Sequence, residues 1–362
     1  AVLSAAQEKY VYSLIFNGVK LLCDILIVVV TIKFKTLESI AIVILAMKIL
    51  EEIINRIVVK KKYPELHEIA RKDTSMVRMT KDLAWTQLGY LILNNVDALL
   101  LMGFNGPVMV SIYTTYNYIL RFLTEIASRV ELSSVYSFGN VFAKKEEKRV
   151  YPLFKEYMMM FILIAFSMCL TFMIGIRGFV SVWVGKENYI LDYITIVLFT
   201  STSFLNILYF PLVALINADG LFKDNKKHIF ICASVNLILS IILINYLGIN
   251  GILLGTGVAF LVNIALKSNL ISKKITKEIK LSNILKYYII TIILFIVLSV
   301  ALKPIENYFL LTAGGFITTI LKLGIIFIII TLLTSLILYV VSNDAKNLFR
   351  RLLNLIKRKL KK

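Results

Sequence analysis

Ten apolar stretches, each long enough to cross a bilayer, run along these 362 residues, and the short loops between them alternate between rich and poor in lysine and arginine. The stretches are residues 13–32, 40–59, 83–104, 108–127, 157–176, 190–215, 229–247, 248–265, 288–302 and 316–341. Hydrocarbon offers the backbone no hydrogen-bonding partner, so an apolar run of about 20 residues closes its bonds on itself as a helix about 30 Å long. The alternation that marks barrel strands is absent from the sequence. With 59% hydrophobic residues and a mean hydropathy of +0.82, lipid rather than water must cover most of the surface. The expected fold class is all-α, a polytopic membrane helix bundle.

Charge sets the orientation. Loops 60–81, 129–155, 223–227 and 267–286, with the tail 346–362, hold most of the 41 basic residues, which makes them cytoplasmic. The intervening loops hold few, namely Lys33, Lys35, Arg177, Lys186 and Lys303. Topology thus accounts for the net charge of +19. Nucleic-acid binding would need a soluble, clustered basic patch with aromatic platforms, and no soluble domain is present to carry one.

Cys23, Cys169 and Cys232 fall inside apolar stretches and read as small apolar residues, not as a disulfide framework. His67 and His228 have no ligand partner at metal-binding spacing, so neither a metal nor a cofactor is expected. Gly251, Gly255 and Gly257 lie within a span, without the preceding strand or GK[ST] sequence of a nucleotide site, and suit close helix packing. The outer loops are short and lack histidine, so no catalytic residue is expected.

Charged groups inside a membrane are costly and mark cavities or partners. In the fourth stretch Thr114, Asn117, Arg121, Thr124 and Ser128 recur at spacings of three or four, a polar stripe on one helix face. Arg121 is the sharpest candidate, because its donor fork fits phosphate oxygens; Glu125 one turn on leaves open a structural ion pair instead. Asn94, Asn95 and Asp97 lie in the outer half of the third stretch, where Asp97 is either an ion or proton site or a group paired within the bundle, for instance with Asn117. Lys20 and Asp24 stand one turn apart in the first stretch, as an internal pair or as charged cavity lining. Lys48, Glu51, Glu52 and Arg56 read as structural, with Lys48, Glu52 and Arg56 on one face. Lys322 lies within reach of the outer interface.

The sixth stretch carries Thr195, Thr202, Asn206 and Tyr209 on a broken polar face, followed by Pro211, which kinks helices; both a cavity wall and ordinary interhelical hydrogen bonding fit. The tail places Leu348, Phe349, Leu352, Leu353, Ile356 and Leu360 on one side among basic residues, so it is expected to lie on the inner leaflet.

Two stretches repeat a pattern. Ala6, Gln7, Glu8 and Lys9 precede Asn17 in the first stretch, and Ala218, Asp219 and Gly220 with Lys223 and Lys227 precede Asn236 in the seventh. The second copy continues through Asn236 and Ser240, then Gly248, Ile249, Asn250 and Gly251, then Gly255 and Thr256. Together with Tyr10, the pair Tyr63 and Pro64, the pair Asn95 and Asp97, and the segment from Gly103 to Tyr116, this order resembles the multidrug/oligosaccharidyl-lipid/polysaccharide exporter superfamily, specifically the Wzx-type flippases of bacterial polysaccharide biosynthesis.

The resemblance spans essentially the whole chain, through motifs that are individually loose. It implies a MATE-like two-lobe transporter in the bacterial cytoplasmic membrane, with this chain supplying ten of fourteen transmembrane helices and starting just before the fifth. It further implies residues 1–59 as the end of an N-terminal lobe, 60–82 as an inter-lobe loop, 83–270 as a C-terminal lobe, 271–341 as two additional helices and 342–362 as a basic cytoplasmic tail. The implied cargo is an undecaprenyl-pyrophosphate-linked oligosaccharide, with a proton or sodium ion as the coupling ion, membrane lipids around the bundle, a polysaccharide polymerase as partner, and no nucleic acid. Arg121, Asn117, Asn95, Lys20 and Asn206 would then face the substrate cavity, with Asp97, Glu125 and Asp24 as ion-coupling groups or charge partners. A drug/cation antiporter and a peptidoglycan-precursor (lipid II) flippase share the fold and differ in cavity charge.

Overall fold

A computed structural model describes residues 9–64, 74–275, 280–312 and 314–360, and no strand occurs among them. The chain divides into two compact units, Ala1–Thr74 and Ser75–Lys362.

In the first unit, α1 (Lys9–Phe34) and α2 (Leu37–Lys62) pack on each other across a turn in which Lys35 takes a positive φ of 54°. The charges of α2 resolve into two separate pairs, Lys48 with Glu51 at 2.8 Å and Arg56 with Glu52 at 2.9 Å, instead of a ladder through Lys48, Glu52 and Arg56. Lys48 also lies over the Phe16 ring of α1, 5.2 Å from its centroid. The motif Ala6 to Glu8 and residues 65–73 of the inter-lobe loop fall outside the described residues.

The second unit opens with α3 (Thr74–Ala143), which is helical throughout except at Gly106, with φ 80° and ψ 178°. Only glycine adopts that backbone without strain, and Pro107 immediately after it is suited to start a helix. The break reverses the chain. Asp97 meets Tyr113 at 3.1 Å and Asn95 meets Arg121 at 3.2 Å, contacts that a straight helix would hold about 24 and 39 Å apart. The third and fourth apolar stretches are therefore the two arms of one helical hairpin.

Beyond it follow α4 (Glu147–Val184), α5 (Tyr193–Leu208), α6 (Phe210–Ala218), α7 (Phe222–Leu247), α8 (Ile249–Lys274), α9 (Leu281–Ala301), α10 (Lys303–Leu311), α11 (Phe316–Val341) and α12 (Asn343–Leu360). The sixth apolar stretch divides into α5 and α6 at Tyr209, two residues before Pro211, as a proline that removes a backbone donor would dictate. The basic segments expected as loops are largely helix: α3 runs to Ala143, α4 starts at Glu147, and α8 runs to Lys274. Charge marks where a helix leaves hydrocarbon, not where it stops.

At the centre stands α4, with Phe161, Ala165, Cys169 and Met173 fully buried. Phe204 of α5 and Phe295 of α9 stack with centroids 4.0 Å apart, and Phe166 of α4 meets Phe204 edge-on at 5.0 Å. A hairpin of α7 and α8 flanks this core. At Gly251 a Cβ would come within 2.9 Å of Ile244 N, and at Gly255 within 2.5 Å of Ser240 Oγ, so both glycines allow the close approach of the two helices. Gly257 does not share that role, since its nearest neighbour would be Thr202 at 3.9 Å.

The tail departs from expectation. Among its described side chains, Ala345 and Leu348 are buried against the bundle and Phe349 meets the Tyr339 ring of α11 edge-on. Two ion pairs tie α12 to α4, Lys155 to Asp344 at 2.9 Å and Arg351 to Glu156 at 3.0 Å. Over this first part the apolar face meets protein before it can meet lipid. Leu352, Leu353, Ile356 and Leu360 have side chains outside those described.

Among the described residues, eight segments are long and apolar enough to cross a membrane: α1, residues 95–143 of α3, which the turn at Gly106 divides, α4, α5 with α6, α7, α8, α9 and α11. The second expected span is helical, but Lys48, Glu51, Glu52 and Arg56 crowd its middle. The chain is a multi-pass membrane protein.

Candidate functional site

The hairpin of α3 builds one wall of a cleft inside the second unit. Tyr113, Asn117, Arg121 and Thr124 on its second arm follow one another at four, four and three residues, so all four share a face and line the cleft. Opposite stand Thr202, Ser203 and Asn206 of α5 and Thr256 of α8, with Phe199 and Phe260 as apolar walls. The cavity volume is about 60 Å³, room for an ion or a few water-sized groups and too little for an oligosaccharide.

Asp97 forms the floor and is 4% exposed. Its Oδ2 accepts hydrogen bonds from Tyr113 Oη at 3.1 Å and Thr256 Oγ1 at 3.0 Å. The Asn236 side chain of α7 and the Arg121 guanidinium also act on the carboxylate. Asn236 Oδ1 is in turn 3.0 Å from Ser240 Oγ and 3.2 Å from Thr256 Oγ1. Oδ1 of Asp97 is enclosed and accepts no hydrogen bond among the described residues, a costly state for a buried carboxylate oxygen.

Arg121 donates from Nη2 to Asn95 Oδ1 at 3.2 Å, while Asn95 Nδ2 holds the Leu91 carbonyl at 2.8 Å, which fixes the amide so that its oxygen faces the arginine. The site therefore offers a guanidinium and a carboxylate at adjacent positions, with neutral hydroxyls and amides around them.

The structure brings Asn95, Asp97, Asn117, Arg121 and Asn206 together in the second unit. It does not do so for Glu125, which bridges to Arg129 at 3.0 Å on an exposed face. Hydrogen bonds to Asp97 come from Tyr113 and Thr256, whereas Asn117 makes none to it. Thr114 and Ser128 do not line the cleft; their hydroxyls bond to the Val110 and Glu125 carbonyls of their own helix. Lys20 and Asp24 lie in the first unit, where with Asn17 they border a shallow open groove on α1 and no ion pair joins them. Asn94 has a side chain outside those described. Among the described residues no group of His, Cys, Asp and Glu is placed to hold a metal ion.

Tyr113 and Thr256 were missed as site residues. Tyr113 is one four-residue step before Asn117, so extending the stripe backwards would have found it; Thr256 had only its place beside Gly255 to recommend it.

Fold and cleft together define a multi-pass helical membrane protein with a charged, polar cavity between its spans. No family model, curated protein or solved structure matches the chain.

Proposed function

We propose that the protein is a flippase of the Wzx type, carrying undecaprenyl-pyrophosphate-linked oligosaccharide across the bacterial cytoplasmic membrane by alternating access, in a MATE-like arrangement of ten spans with a cytoplasmic C-terminus. The observation that supports this reading is Arg121, a permanent cation in an intramembrane cleft, oriented by Asn95 and surrounded by neutral donors. A diphosphate offers oxygens matched to its fork, and the glycan would extend beyond the cleft through its mouth. Asp97, with one oxygen that meets no donor among the described residues, would seat the coupling proton or sodium ion next to the substrate charge.

The test is depletion of the protein in its native host, followed by quantification of lipid-linked oligosaccharide in each leaflet. Inner-leaflet accumulation, not rescued by a stably expressed Arg121→Ala variant, supports the reading; unchanged lipid-linked glycan overturns it. A second reading, export of cationic drugs in exchange for an ion, draws on the Asp97 carboxylate at the floor of the cleft. Drug accumulation in depleted cells with normal glycan would favour it.

A further inference from the structure

A second cleft lies far from Asp97, at the turn between α3 and α4. Asn140 lines it from the end of α3, Lys144 and Glu146 from the turn, Arg149 and Glu156 from α4, and Arg351 from α12. The apolar stretch of α4 begins at residue 157, next to Glu156, and α12 follows a span that ends at Val341. Those two ends put the α4 and α12 side of the cleft at the edge of the hydrocarbon, within reach of lipid headgroups. Its cavity volume is about 220 Å³, ample for a phosphate group.

Three cations face two carboxylates here, leaving one positive charge in excess. Each arginine uses one terminal nitrogen on a carboxylate, Arg149 Nη1 on Glu146 Oε2 and Arg351 Nη1 on Glu156 Oε2. The carboxylates thereby hold both guanidinium groups in place, and Nε and Nη2 of each make no hydrogen bond among the described residues. Lys144 has no ion-pair partner among them. Donors of this kind, from three separate elements at headgroup depth, match the oxygens of a phosphate ester.

We propose that this cleft binds the phosphate of an anionic membrane lipid, with Lys144, Arg149 and Arg351 as its cationic contacts. Free phosphate has the same oxygens, but a lipid adds acyl chains that pack against the apolar flanks of α3 and α4 as the headgroup enters. Because Arg351 belongs to α12, Arg149 to α4 and Lys144 to the turn before α4, an occupied cleft also holds the C-terminal helix against the bundle. The proposal does not depend on what the central cleft transports.

The test uses the full chain in phosphatidylcholine nanodiscs, titrated with phosphatidylglycerol and read by native mass spectrometry and by equilibrium binding. At roughly fivefold per cation, the triple variant Lys144→Gln/Arg149→Gln/Arg351→Gln should bind phosphatidylglycerol about 100-fold more weakly, with phosphatidylcholine retention unchanged. Lys144→Gln alone, at a side chain without an ion pair, should lose roughly fivefold with no effect on folding. Equal retention of the two lipids, or a triple variant that still prefers phosphatidylglycerol, overturns the proposal. Displacement of phosphatidylglycerol by millimolar inorganic phosphate assigns the cleft to free phosphate and overturns it as well.

Discussion

Thr256 donates its hydroxyl proton to Asp97 Oδ2 over 3.0 Å, although 159 residues separate them. With Tyr113 on the same oxygen, this contact clamps α8 onto the α3 hairpin at the one carboxylate in the cleft. Asp97→Asn keeps the shape and leaves both hydroxyls an acceptor, so folding should survive it. On the proposed flippase reading, ion-driven lipid translocation in proteoliposomes should fall by about tenfold or more, the worth of roughly 1.5 kcal/mol for one interaction with a charged group. Transport that stays equally responsive to an imposed ion gradient removes Asp97 from coupling.

Crowding between α7 and α8 predicts unequal costs for three chemically identical changes. Gly251→Ala and Gly255→Ala should each destabilise by about 1–3 kcal/mol, because the added carbon meets backbone or Ser240. Gly257→Ala finds ordinary contact distance and should be close to neutral. Thermal unfolding of the three variants in detergent checks the order, and an equal loss at Gly257 would contradict the packing account.

Lys267 is wholly buried in α8 and donates to the Asn225 side-chain oxygen of α7, with no carboxylate pairing it among the described residues. Asn225→Leu would strand the ammonium and should cost about 3–5 kcal/mol. Lys267→Met removes the charge together with its requirement, so it should be neutral or stabilising, and it should rescue Asn225→Leu in the double variant. The four unfolding temperatures form a cycle; additive effects would show that the two residues act independently.

Glu306 of α10 is fully enclosed, with Arg177 Nη1 of α4 at 3.2 Å from both of its carboxylate oxygens. Burial raises its carboxyl above the ordinary value, and Arg177 draws it back only in part. A carboxyl raised in the folded state binds its proton more tightly there. Its contribution is therefore complete below the ordinary carboxylate value and is lost as the pH climbs through the raised one. Relative to Glu306→Gln, the native protein should gain thermal stability as the pH is lowered from neutrality. A gap that narrows on acidification would reverse the sign.

Apolar runs placed the helices because membrane spans announce themselves one segment at a time. The site was legible only where its geometry is local. Asn117 and Arg121 share a face through simple helical spacing, and Pro211 marks the break at Tyr209. Thr114 has the spacing of that face yet does not line the cleft, because a polar residue near a stripe need not point along it. Glu125 has candidate partners one turn away on both sides, Arg121 and Arg129, and its ion pair to Arg129 depends on side-chain geometry that spacing does not set. The donors to Asp97 lay beyond local reasoning: Tyr113 depends on the reversal at Gly106, and Thr256 on the packing of a helix far along the chain.

One turn at Gly106 aligns Asp97 with Tyr113 and Asn95 with Arg121. Each added or deleted residue in an arm would rotate everything between it and its far end by about 100° and shift it by about 1.5 Å. A single insertion on either side of Gly106 would thus swing the carboxylate or the guanidinium out of the cleft while leaving composition and hydropathy almost untouched. Over residues 97–121 homologues should therefore tolerate substitutions far more readily than a change of length.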